Sequence, residues 1–297
     1  MSNLLAKVIK DPHHAMARFV EVYLSKRLSD EKYLKLMYWA VFGKRLNLKH
    51  PQTFNEKLSW LKLYGRRDIY SKMADKYAVK QFVTNLIGEK YVVENLMVAD
   101  RWDEIDFNTL PNKFVIKCTH DSGGAFVCRD ISTFDFEKVR CQIEGNMKRD
   151  YFHPYREWPY KNIPHRIIID KFLDDKTGNE LRDYKFWCFN GEPKYMYCTI
   201  KGKDVYENFS DMDFAPVAID HGFPRHQPEF EKPEAFEEMK EVAAKLSKDV
   251  LFVRVDLFYV DGQIYFGEYT FYDWAGLRPF GGNWDAELGK LIKLPIE

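Results

Sequence analysis

The sequence lacks the cysteine patterns of disulfide frameworks and of zinc sites. It contains five cysteines, an odd number, and none of them belongs to a Cys-x-x-Cys pair. They are Cys118, Cys128, Cys141, Cys188 and Cys198. A disulfide framework needs paired cysteines, and a structural zinc site needs closely spaced ligands. The composition therefore favours a reducing compartment, and we expect a cytoplasmic protein.

Long apolar runs and an excess of one charge are also absent. No stretch reaches the roughly 18–20 apolar residues that span a bilayer, and residues 1–14 contain no signal-peptide pattern. The 45 Lys and Arg residues balance 45 Asp and Glu residues, which removes the usual electrostatic argument for nucleic-acid binding. We therefore expect neither a membrane span nor a nucleic-acid partner.

Charge is nevertheless uneven along the chain. Residues 1–70 hold 14 Lys and Arg residues but only 6 Asp and Glu residues, a local net charge of +8. This basic region has helical spacing at 15–28, 30–42 and 54–64. An apolar stripe in the second of these helices consists of Tyr33, Leu34, Met37, Tyr38 and Trp39. Basic helices of this kind bind anionic membrane or a lipid-linked diphosphate sugar, but the stripe equally suits packing on the rest of the protein.

Beyond the basic region, the pattern changes from helices to short strands. Residues 70–86 and 233–248 still have the periodicity of amphipathic helices. Six segments rich in β-branched and aromatic residues lie between residues 91 and 202, and they are typical of strands. Because strands and helices are not regularly interleaved, the sequence predicts an α+β fold, with a mixed α/β arrangement as the alternative.

Residues 251–271 (LFVRVDLFYVDGQIYFGEYTF) are typical of a β-hairpin with an Asp-Gly turn. A two-residue turn at 261–262 would place the carboxylates of Asp256 and Glu268 on opposite faces of the hairpin. A three-residue loop at 261–263, with its glycine at positive φ, would bring the two carboxylates opposite each other. We predict the three-residue loop, because it gathers the polar residues on one face and leaves the other face apolar.

The opposed carboxylates require a counter-charge. Directly opposed residues have Cβ atoms about 4.5–5.5 Å apart, and two like charges at that distance repel each other. A divalent cation relieves this repulsion, and Mg²⁺ is usually held by one or two carboxylates together with phosphate oxygens. In the same register Arg254 faces Thr270, so a simple salt bridge from Arg254 to a carboxylate is the alternative interpretation.

A second polar constellation lies between two predicted strands at residues 113–127 (KFVIKCTHDSGGAFV). The first strand ends at Lys117, and the following turn contains Ser-Gly-Gly at 122–124. Such a turn leaves backbone N–H groups free to approach a phosphate. The P-loop pattern is absent, and a strand follows in place of a helix. His120, beside the turn, is either a phosphate contact or a structural residue.

These segments, taken in order, resemble the ATP-grasp superfamily. An Asp-Lys pair at 75–76 opens a helix, a strand ends in Lys before a Gly-rich loop, and an acidic segment at 170–173 would form a hinge. The late hairpin, RVDLFYVDGQIYFGEYTF, is similar to the corresponding segment of D-alanine–D-alanine ligases. Asp170 departs from the usual Glu at the hinge, and Thr270 departs from the common Asn after the metal-binding Glu.

A more specific resemblance covers nearly the whole chain. The segments that carry it are TFNEKLSWLKLY, MADKYAVKQFV, LPNKFVIKCTHDSGG, REWPYKN, DYKFWCFNGEPK and FGEYTF. Together they resemble the TupA-like ATP-grasp family of bacterial surface-polysaccharide loci, named after teichuronopeptide biosynthesis. The resemblance implies a basic helical region at 1–70 and an ATP-grasp domain at 71–297. Its two subdomains would be 71–170 and 171–297, gripping ATP between them.

The resemblance also implies which residues bind ATP. They are Lys76, Lys117, Ser122, Gly123, Gly124, Asp170, Lys171, Phe172, Leu173 and Lys185. Among them, Lys76 and Lys117 would hold the α- and β-phosphates, with Lys185 as a further contact. Residues 122–124 would close over the β- and γ-phosphates, and residues 170–173 would line the adenine pocket.

The same resemblance implies the metal site and the chemistry. Asp256 and Glu268 would bind Mg²⁺, with Thr270 as a further ligand, and Arg254 and Lys117 would be catalytic. Arg254 would stabilise the acyl phosphate or the tetrahedral intermediate, as an oxyanion donor does. The implied reaction is an ATP-dependent ligation that releases ADP, in which a carboxylate becomes an acyl phosphate that an amine then attacks.

The second substrate is harder to infer. The resemblance implies an amino acid and a sugar-carboxylate or peptide acceptor, carried by a lipid-linked glycan of a capsule or O-antigen, at the inner face of the membrane. Residues 147–166 are basic and aromatic. Their Arg156, Trp158, Tyr160 and Lys161 would stack on a sugar or hold an anion, or else form a solvated loop packed on the core.

Three other functions remain open. Asp211 and Asp213 form a DxD pattern, which in many glycosyltransferases holds the metal of a nucleotide-sugar, although so short a pattern often arises by chance. An ATP-grasp kinase or phosphotransferase would need no amine. A degenerate fold would act only as a binding module, which the presence of all the charged site residues disfavours.

Overall fold

The computed structural model describes residues 12–174, 181–201, 205–227 and 230–296. From residue 12 to residue 87 the described chain is mainly helical, with helices α1 (Pro12–Phe19), α2 (Asp30–Phe42), α3 (Phe54–Tyr64), α4 (Ile69–Ala74) and α5 (Ala78–Ile87). A π-helical segment, Val20–Leu24, continues α1. Within the described ranges, no helix is both long and apolar enough to cross a membrane.

The predicted helix at 70–86 is interrupted between α4 and α5. Asp75 has an extended conformation (ψ 114°), and Oδ1 of its carboxylate accepts hydrogen bonds from the N–H groups of Tyr77 (2.8 Å) and Ala78 (3.2 Å). A short acidic side chain satisfies the otherwise unpaired N–H groups of a helix start in this way. The break therefore begins a new helix directly after Lys76, a position that hydrophobic periodicity alone does not reveal.

The first sheet has four antiparallel strands in the order β1-β4-β2-β3. The strands are β1 (Asn95–Ala99), β2 (Phe114–Cys118), β3 (Phe126–Cys128) and β4 (Ile167–Lys171). Alternate residues of β2 (Phe114, Ile116 and Cys118) point into a core completed by helix α6 (Phe136–Met147). A short helix, α7 (Phe152–Tyr155), follows α6.

The second sheet has six antiparallel strands in the order β10-β9-β5-β6-β7-β8. These are β5 (Asp183–Phe189), β6 (Glu192–Lys201), β7 (Val205–Ser210), β8 (Pro216–Val217), β9 (Phe252–Val260) and β10 (Gln263–Thr270). Helix α8 (Phe236–Ser247) packs on β5, β6 and β9, and α9 (Trp284–Leu291) packs on α3. The short 3₁₀ segments are Glu89–Tyr91, Trp102–Glu104, Phe107–Thr109, Ile131–Thr133, Trp158–Asn162 and Asp273–Gly276.

The turn between β9 and β10 differs from the predicted one. Val260 pairs with Gln263, so the turn has two residues, and both Asp261 (φ 49°) and Gly262 (φ 79°) have positive φ. That geometry is a type I′ turn, which matches the right-handed twist of hairpin strands. The predicted three-residue loop is therefore wrong.

A β-bulge at Gly267 nevertheless places the two carboxylates opposite each other. The strand register shifts between Phe266 and Glu268, and beyond the shift Glu268 faces Asp256. In the same register Thr270 faces Arg254. One extra residue in a bulge moves every following side chain to the other face. The polar face predicted from the sequence is thus present, through a different backbone arrangement.

The apolar stripe of α2 lies inside the protein. Tyr33, Leu34, Met37 and Tyr38 are buried, and only Trp39 is exposed. Tyr33 and Met37 pack with Val20, and the Tyr33 hydroxyl donates a hydrogen bond to Pro154 O at 2.6 Å. The stripe therefore packs on the rest of the protein and does not form a membrane-binding surface.

Candidate nucleotide and metal site

Lys76 lies against the turn between β2 and β3. Its backbone N–H donates to Thr119 O at 3.0 Å, and its Nζ donates to Asp121 O. The same Nζ lies 3.4 Å from Asp121 Oδ1. The start of α5 is therefore fixed to the Gly-rich turn, and the ammonium group of Lys76 is held beside it.

The turn at 122–124, the predicted phosphate loop, needs both of its glycines. Ser122 and Gly123 are exposed, and Gly123 has φ +77° with open space around it. A Cβ on Gly124 would lie 2.0 Å from Asp121 Oδ2 and 2.7 Å from Asn146 Nδ2, so no larger residue fits there. The first glycine permits the backbone conformation and the second permits the packing beneath it.

Two lysines hold the buried carboxylate of Asp170. Lys117 Nζ lies 3.0 Å from Asp170 Oδ2, and Lys80 Nζ lies 3.0 Å from Asp170 Oδ1. Asn95 Nδ2 also donates to Oδ1 at 3.3 Å. Burial lowers the pKa of Lys80, although the Asp170 carboxylate partly opposes this. Asp170 thus positions the ammonium group of Lys117, a role that the sequence did not indicate.

The remaining residues of the predicted adenine segment lie at the end of β4. Lys171 is exposed and forms an ion pair with Glu94 at 3.2 Å, and its N–H donates to Glu94 O at 2.9 Å. Phe172 and Leu173 are partly buried. Since the buried Asp170 carboxylate already pairs with Lys80, Lys117 and Asn95, we expect any adenine contact in this segment to come from the backbone or from Phe172 and Leu173, and it stays a prediction.

Arg254 lies at the centre of the polar face of the hairpin. Its Nε and Nη2 each donate to one oxygen of Asp256 at 2.7 Å, a bidentate pair. Nη2 also donates to Glu268 Oε1 at 3.2 Å. Nη1 donates to Asp273 Oδ1 at 2.6 Å and to the Tyr197 hydroxyl at 3.3 Å. All five N–H groups of the guanidinium are therefore used.

The carboxylate pair fits a cation shared with a phosphate. Asp256 is 2 % exposed, whereas the Glu268 side chain is 39 % exposed, and Thr270 Oγ1 lies 3.5 Å from Glu268 Oε1. Each carboxylate oxygen has two lone pairs, so the Asp256 oxygens that accept from Arg254 keep acceptor capacity. No cluster of three or more His, Cys, Asp or Glu ligands occurs among the described residues. A cation here would need phosphate or water oxygens to complete its shell, as Mg²⁺ normally does.

Lys185 extends this polar face onto the neighbouring strand. It lies opposite Asp256 in the β5–β9 register, and its Nζ is 3.6 Å from Asp256 Oδ2 and in contact with Asp183. Burial lowers the pKa of Lys185, and the Asp256 carboxylate counteracts part of that effect. The predicted phosphate contact therefore lies beside the predicted metal ligands.

The two halves of the site meet at Glu268. Burial alone would raise the pKa of its carboxyl, but the positive charges of Lys76 and Arg254, followed by Lys185 and Lys117, outweigh burial and lower it. Lys76 precedes α5 and Lys117 is the penultimate residue of β2 in the first sheet, whereas Lys185 and Arg254 belong to the second sheet. Four lysine and arginine side chains from distant parts of the sequence thus act on one carboxylate.

Behind Arg254 lies a buried chain of charged groups. His221 is 1 % exposed, with Nδ1 2.7 Å from Glu207 Oε2 and Nε2 3.4 Å from Asp273 Oδ2. Burial would lower the pKa of His221, but the two carboxylates outweigh it and raise the pKa. Burial would likewise raise the pKa of Asp273, yet Arg254 and His221 lower it to about 2. The linked side chains of Glu207, His221 and Asp273 thus hold the Arg254 guanidinium in place through Asp273.

The basic and aromatic residues of segment 147–166 have two different surroundings: some pack on the rest of the protein, and others lie near the charged site. Arg156 is buried, forms an ion pair with Asp30 at 2.8 Å and has its guanidinium 4.2 Å from the centre of the Tyr33 ring. It joins this segment to α2 and is not available to an anionic substrate. Lys161 and Trp158 pack on each other, 5.2 Å from Nζ to ring centre.

Glu157 and Tyr160 of the same segment lie next to the charged site. Burial raises the pKa of Glu157 to about 7, Lys62 opposes this, and Asp273 adds to it. Burial also raises the pKa of Tyr160, with Glu157 and Glu268 as the next contributors. Glu157 and Tyr160 are therefore close enough to Asp273 and Glu268 for their charges to interact.

His120 and the DxD pattern have structural surroundings. The His120 ring is buried and stacked on His165 with centres 3.5 Å apart, and burial, aided by His165, lowers its pKa to about 4. Asp211 Oδ1 accepts hydrogen bonds from the N–H groups of Asp213 (3.0 Å) and Ala215 (2.8 Å). This is the Asx-type turn that joins β7 to β8. The turn accounts for an Asp at position 211, so the DxD pattern is not by itself a sign of a metal site.

Sequence reasoning missed several residues of the site. These are Lys80, Glu157, Glu207, His221 and Asp273. Asp273 offered a signal, since it follows the polar residues of the hairpin closely. The others gave none, because a lone charged residue shows its partner only after the chain has folded.

The chain was compared with known proteins. Similar solved structures include D-alanine–D-alanine ligase from Bacillus anthracis complexed with ATP, with 14% identity over 67% of this chain and 53% of that one (TM-score 0.39). The Helicobacter pylori ligase has 15% identity over 73% and 61% (TM-score 0.41). The ATP-grasp ligase PsnB complexed with minimal precursor has 8% identity over 68% and 54% (TM-score 0.40). The chain thus spans less than two thirds of these proteins, and the structural likeness is too low to carry an argument about function.

No curated protein matches the chain. A family model described as TupA-like ATPgrasp matches residues 56–293, most of the sequence. The match includes both sheets, the Gly-rich turn and the hairpin with its two carboxylates. The chain therefore belongs to the TupA-like ATP-grasp family.

Proposed function

We propose that this protein is a cytoplasmic, ATP- and Mg²⁺-dependent ligase that activates a carboxylate as an acyl phosphate and joins it to an amine. The observation that carries the proposal is the convergence on Glu268. Lys76, Lys117, Lys185 and Arg254 all lower the pKa of this partly exposed carboxyl, although burial opposes them. Four positive charges around one carboxylate, beside a Gly-rich turn, form a site for a polyphosphate with its cation.

The proposed reaction needs positioning and charge neutralisation and no protein nucleophile. One oxygen of the substrate carboxylate attacks the γ-phosphorus, and ADP leaves with the electrons of the broken P–O bond. The amine then attacks the acyl carbon, inorganic phosphate leaves, and the amine loses a proton. Mg²⁺ held by Asp256 and Glu268, with Thr270 nearby, would neutralise charge on the β- and γ-phosphates.

The side chains of this protein have separate parts in that reaction. Lys76 and Lys117 bind the phosphates, Lys117 being oriented by Asp170 at 3.0 Å. The backbone of residues 122–124 covers the transferred phosphate. Arg254 already uses all five donors, so it can reach an oxyanion only by exchanging a weak contact, and the longest are those to Glu268 (3.2 Å) and Tyr197 (3.3 Å).

Thermal-shift measurements test the nucleotide site. The protein is heated with ATP, ADP or a UDP-sugar, each with and without Mg²⁺. We expect Mg·ATP to raise the melting temperature of the wild type and to have little effect on Glu268→Gln, which keeps the shape of the side chain but lacks the charge. Glu192→Gln is the matched control, because Glu192 is an exposed residue of the same sheet.

The outcomes separate the alternatives. Stabilisation by the UDP-sugar alone, lost on replacing Asp211 or Asp213, would establish the glycosyltransferase in place of the ligase. If Mg·ATP binds, ADP release is then measured with candidate carboxylates in the presence and absence of amines. ADP release that needs no amine and leaves a stable phosphorylated product would identify a phosphotransferase.

We further infer that the substrates are an amino acid and a sugar-carboxylate or peptide acceptor on a lipid-linked glycan, in capsule, O-antigen or other surface-polysaccharide biosynthesis. The net charge of +8 in residues 1–70 supports peripheral contact with the anionic inner face of a membrane. Exposed Phe19, Val22 and Tyr23 at the end of α1 add apolar groups that would enter the interface.

Sedimentation with lipid vesicles tests this contact. We expect the protein to sediment with vesicles that contain anionic lipid and to remain in solution with zwitterionic vesicles. The double replacement Phe19→Ser and Tyr23→Ser should reduce sedimentation. Leu86→Ser, at an exposed apolar residue of α5, should not, and equal losses in both variants would refute a specific contact by α1.

A further inference from the structure

A pocket opens immediately beyond the charged chain that holds Arg254. It has a volume of about 350 Å³ and is lined by Gly222, Trp274, Leu277, Arg278 and Pro279. Nothing in the proposed nucleotide site uses these residues. The pocket combines an aromatic face, two aliphatic side chains and one guanidinium, which is a ligand-binding composition.

Arg278 provides the positive charge of the pocket. Its guanidinium packs over two adjoining rings, 4.0 Å from the centre of Phe223 and 4.4 Å from the centre of Trp274. Its Nε donates to His221 O, while Nη1 and Nη2 make no hydrogen bond or ion pair in the part of the chain that the structure describes. A guanidinium fixed by stacking, with both terminal nitrogens free, is prepared for bidentate binding of an oxyanion.

The opposite wall contains an unusual backbone. Trp274 (φ 45°, ψ 36°) and Ala275 (φ 56°, ψ 21°) are both in the left-handed region, which non-glycine residues rarely adopt. Lys62 fixes this turn by donating to Ala275 O at 2.6 Å. The turn leaves the Trp274 side chain 48 % exposed. Strained backbone held by its surroundings is common where a side chain is presented to a ligand.

Gly222 completes the pocket. It has φ +79°, and a Cβ at this position would lie 2.9 Å from Arg278 Nη2. A larger residue would therefore be strained and would push the guanidinium away. The absence of a side chain keeps the terminal nitrogens of Arg278 accessible.

The pocket is connected to the proposed reaction site by two short links. Trp274 directly follows Asp273, whose Oδ1 accepts from Arg254 at 2.6 Å. His221, whose carbonyl accepts from Arg278, has its ring 3.4 Å from the Asp273 carboxylate. A ligand in the pocket would therefore lie beside the groups that hold Arg254.

We propose that this pocket binds an acidic sugar residue, with its anionic group on Arg278 and an apolar face of its ring on Trp274. A pyranose has a face of C–H groups that stacks on an indole, and a carboxylate or phosphate on the ring matches the guanidinium. The proposal rests on the proposed function, for which it names the class of the second substrate. A free amino acid offers the anion but no ring for the exposed indole.

Equilibrium binding to the whole protein tests the assignment, with Mg·ATP binding measured in the same samples. The probes are glucuronate, glucose 6-phosphate, neutral glucose and L-glutamate. We expect the two acidic sugars to bind most tightly, and their affinity to fall about tenfold or more in Arg278→Gln. Trp274→Ala should weaken them as well, while both variants keep the wild-type affinity for Mg·ATP. Arg101→Gln and Trp39→Ala are the matched controls, because both residues are exposed and neither lines the pocket.

Each outcome has one meaning. Preference for glucuronate or for glucose 6-phosphate identifies the anionic group. Equal binding of neutral glucose, tighter binding of L-glutamate, undiminished binding in Arg278→Gln, or no binding of any probe while Mg·ATP binds would overturn the proposal. A protein that binds no Mg·ATP would instead refute the proposed ligase, and acidic-sugar binding lost in Arg278→Gln would still support the pocket.

Discussion

Every N–H group of the Arg254 guanidinium donates a hydrogen bond, and two of the carboxylates that accept them are buried. Its five N–H groups have five acceptor atoms, four of which are oxygens of three carboxylates, and Asp256 and Asp273 are almost completely buried. Buried carboxylates are stable only when they are paired. We therefore expect the guanidinium to stabilise the fold in addition to any catalytic role.

Replacing Arg254 should destabilise the protein strongly. Arg254→Met leaves the buried carboxylates of Asp256 and Asp273 without their main partner, and breaking a buried pair in this way costs about 3–5 kcal/mol. The free energy of unfolding in urea measures the loss. Arg101→Met, at an exposed ion pair with Glu104, should cost no more than about 1 kcal/mol. Equal losses in the two variants would contradict the buried network.

His221 should make stability depend on pH. Its pKa in the folded protein is raised by Asp273 and Glu207, above the usual value of about 6.5 in the unfolded chain. The folded state therefore binds the proton more tightly, and this contribution is fully present below about pH 6.5 and is lost as the pH rises through the raised pKa. Urea unfolding of wild type and His221→Gln across that range measures it. A stability difference that does not shrink toward high pH would contradict an imidazolium at this position.

The chemistry of the hairpin could be predicted at the residue scale, but its supporting residues could not. Asp256, Glu268 and Arg254 interrupt apolar strands. Strand alternation puts Arg254 and Asp256 on one face of β9, and the bulge brings Glu268 to that face. Lys80 lies in helix α5, His221 in an irregular segment and Glu207 in strand β7, and a single charged residue is ordinary in each. Their roles depend on partners that are distant in sequence, so periodicity contains no information about them.

At the scale of elements, the β9–β10 hairpin shows why a turn length is a poor guide to register. The Asp-Gly sequence correctly indicates a turn, and its two positive φ values fit the type I′ geometry. The bulge at Gly267 then corrects the register by one residue. A glycine within a strand is compatible with a bulge but does not show where the register shifts, so the sequence led to the right facing pair through the wrong loop.

The bulge should not tolerate a side chain. A Cβ on Gly267 would lie 3.0 Å from Asp256 O and 3.1 Å from the Phe258 ring. We expect Gly267→Val to cost about 1–3 kcal/mol, because added volume in a packed site forces strain, and to weaken Mg·ATP binding by displacing Glu268. Urea unfolding and nucleotide titration measure the two effects.

Gly145 provides the control for this substitution. It lies in α6 with open space around it, so Gly145→Ala should be neutral or stabilise the protein by up to about 1 kcal/mol. If Gly267→Val were as harmless as Gly145→Ala, the bulge would not be needed to align the carboxylates.

At the scale of the whole molecule, the fold class could be predicted from the sequence, but the packing of the basic region on the second sheet could not. The α+β class and the order of the charged segments could be predicted, because helical and strand periodicities are local properties of the sequence. The packing of α3 could not. Phe54 of the basic region stacks on Trp187 of β5 with ring centres 5.7 Å apart, and Lys57 Nζ donates to Ile292 O at 2.7 Å. Such contacts join residues more than a hundred positions apart, and charge counts do not report them.

The shared core implies that a defect in α3 should spread to the second sheet. Leu58 is completely buried and lies where a Cβ on Gly276 would approach it to 2.9 Å. Leu58→Ala should cost about 2–5 kcal/mol through the cavity it leaves, whereas Leu86→Ala, at an exposed position, should cost little. Hydrogen exchange of the amides in β5 and β9 measures how far the effect extends. Faster exchange in those strands would follow from one cooperative core, whereas faster exchange confined to α2 and α3 would mean that the basic region opens alone and that the Mg·ATP site is independent of it.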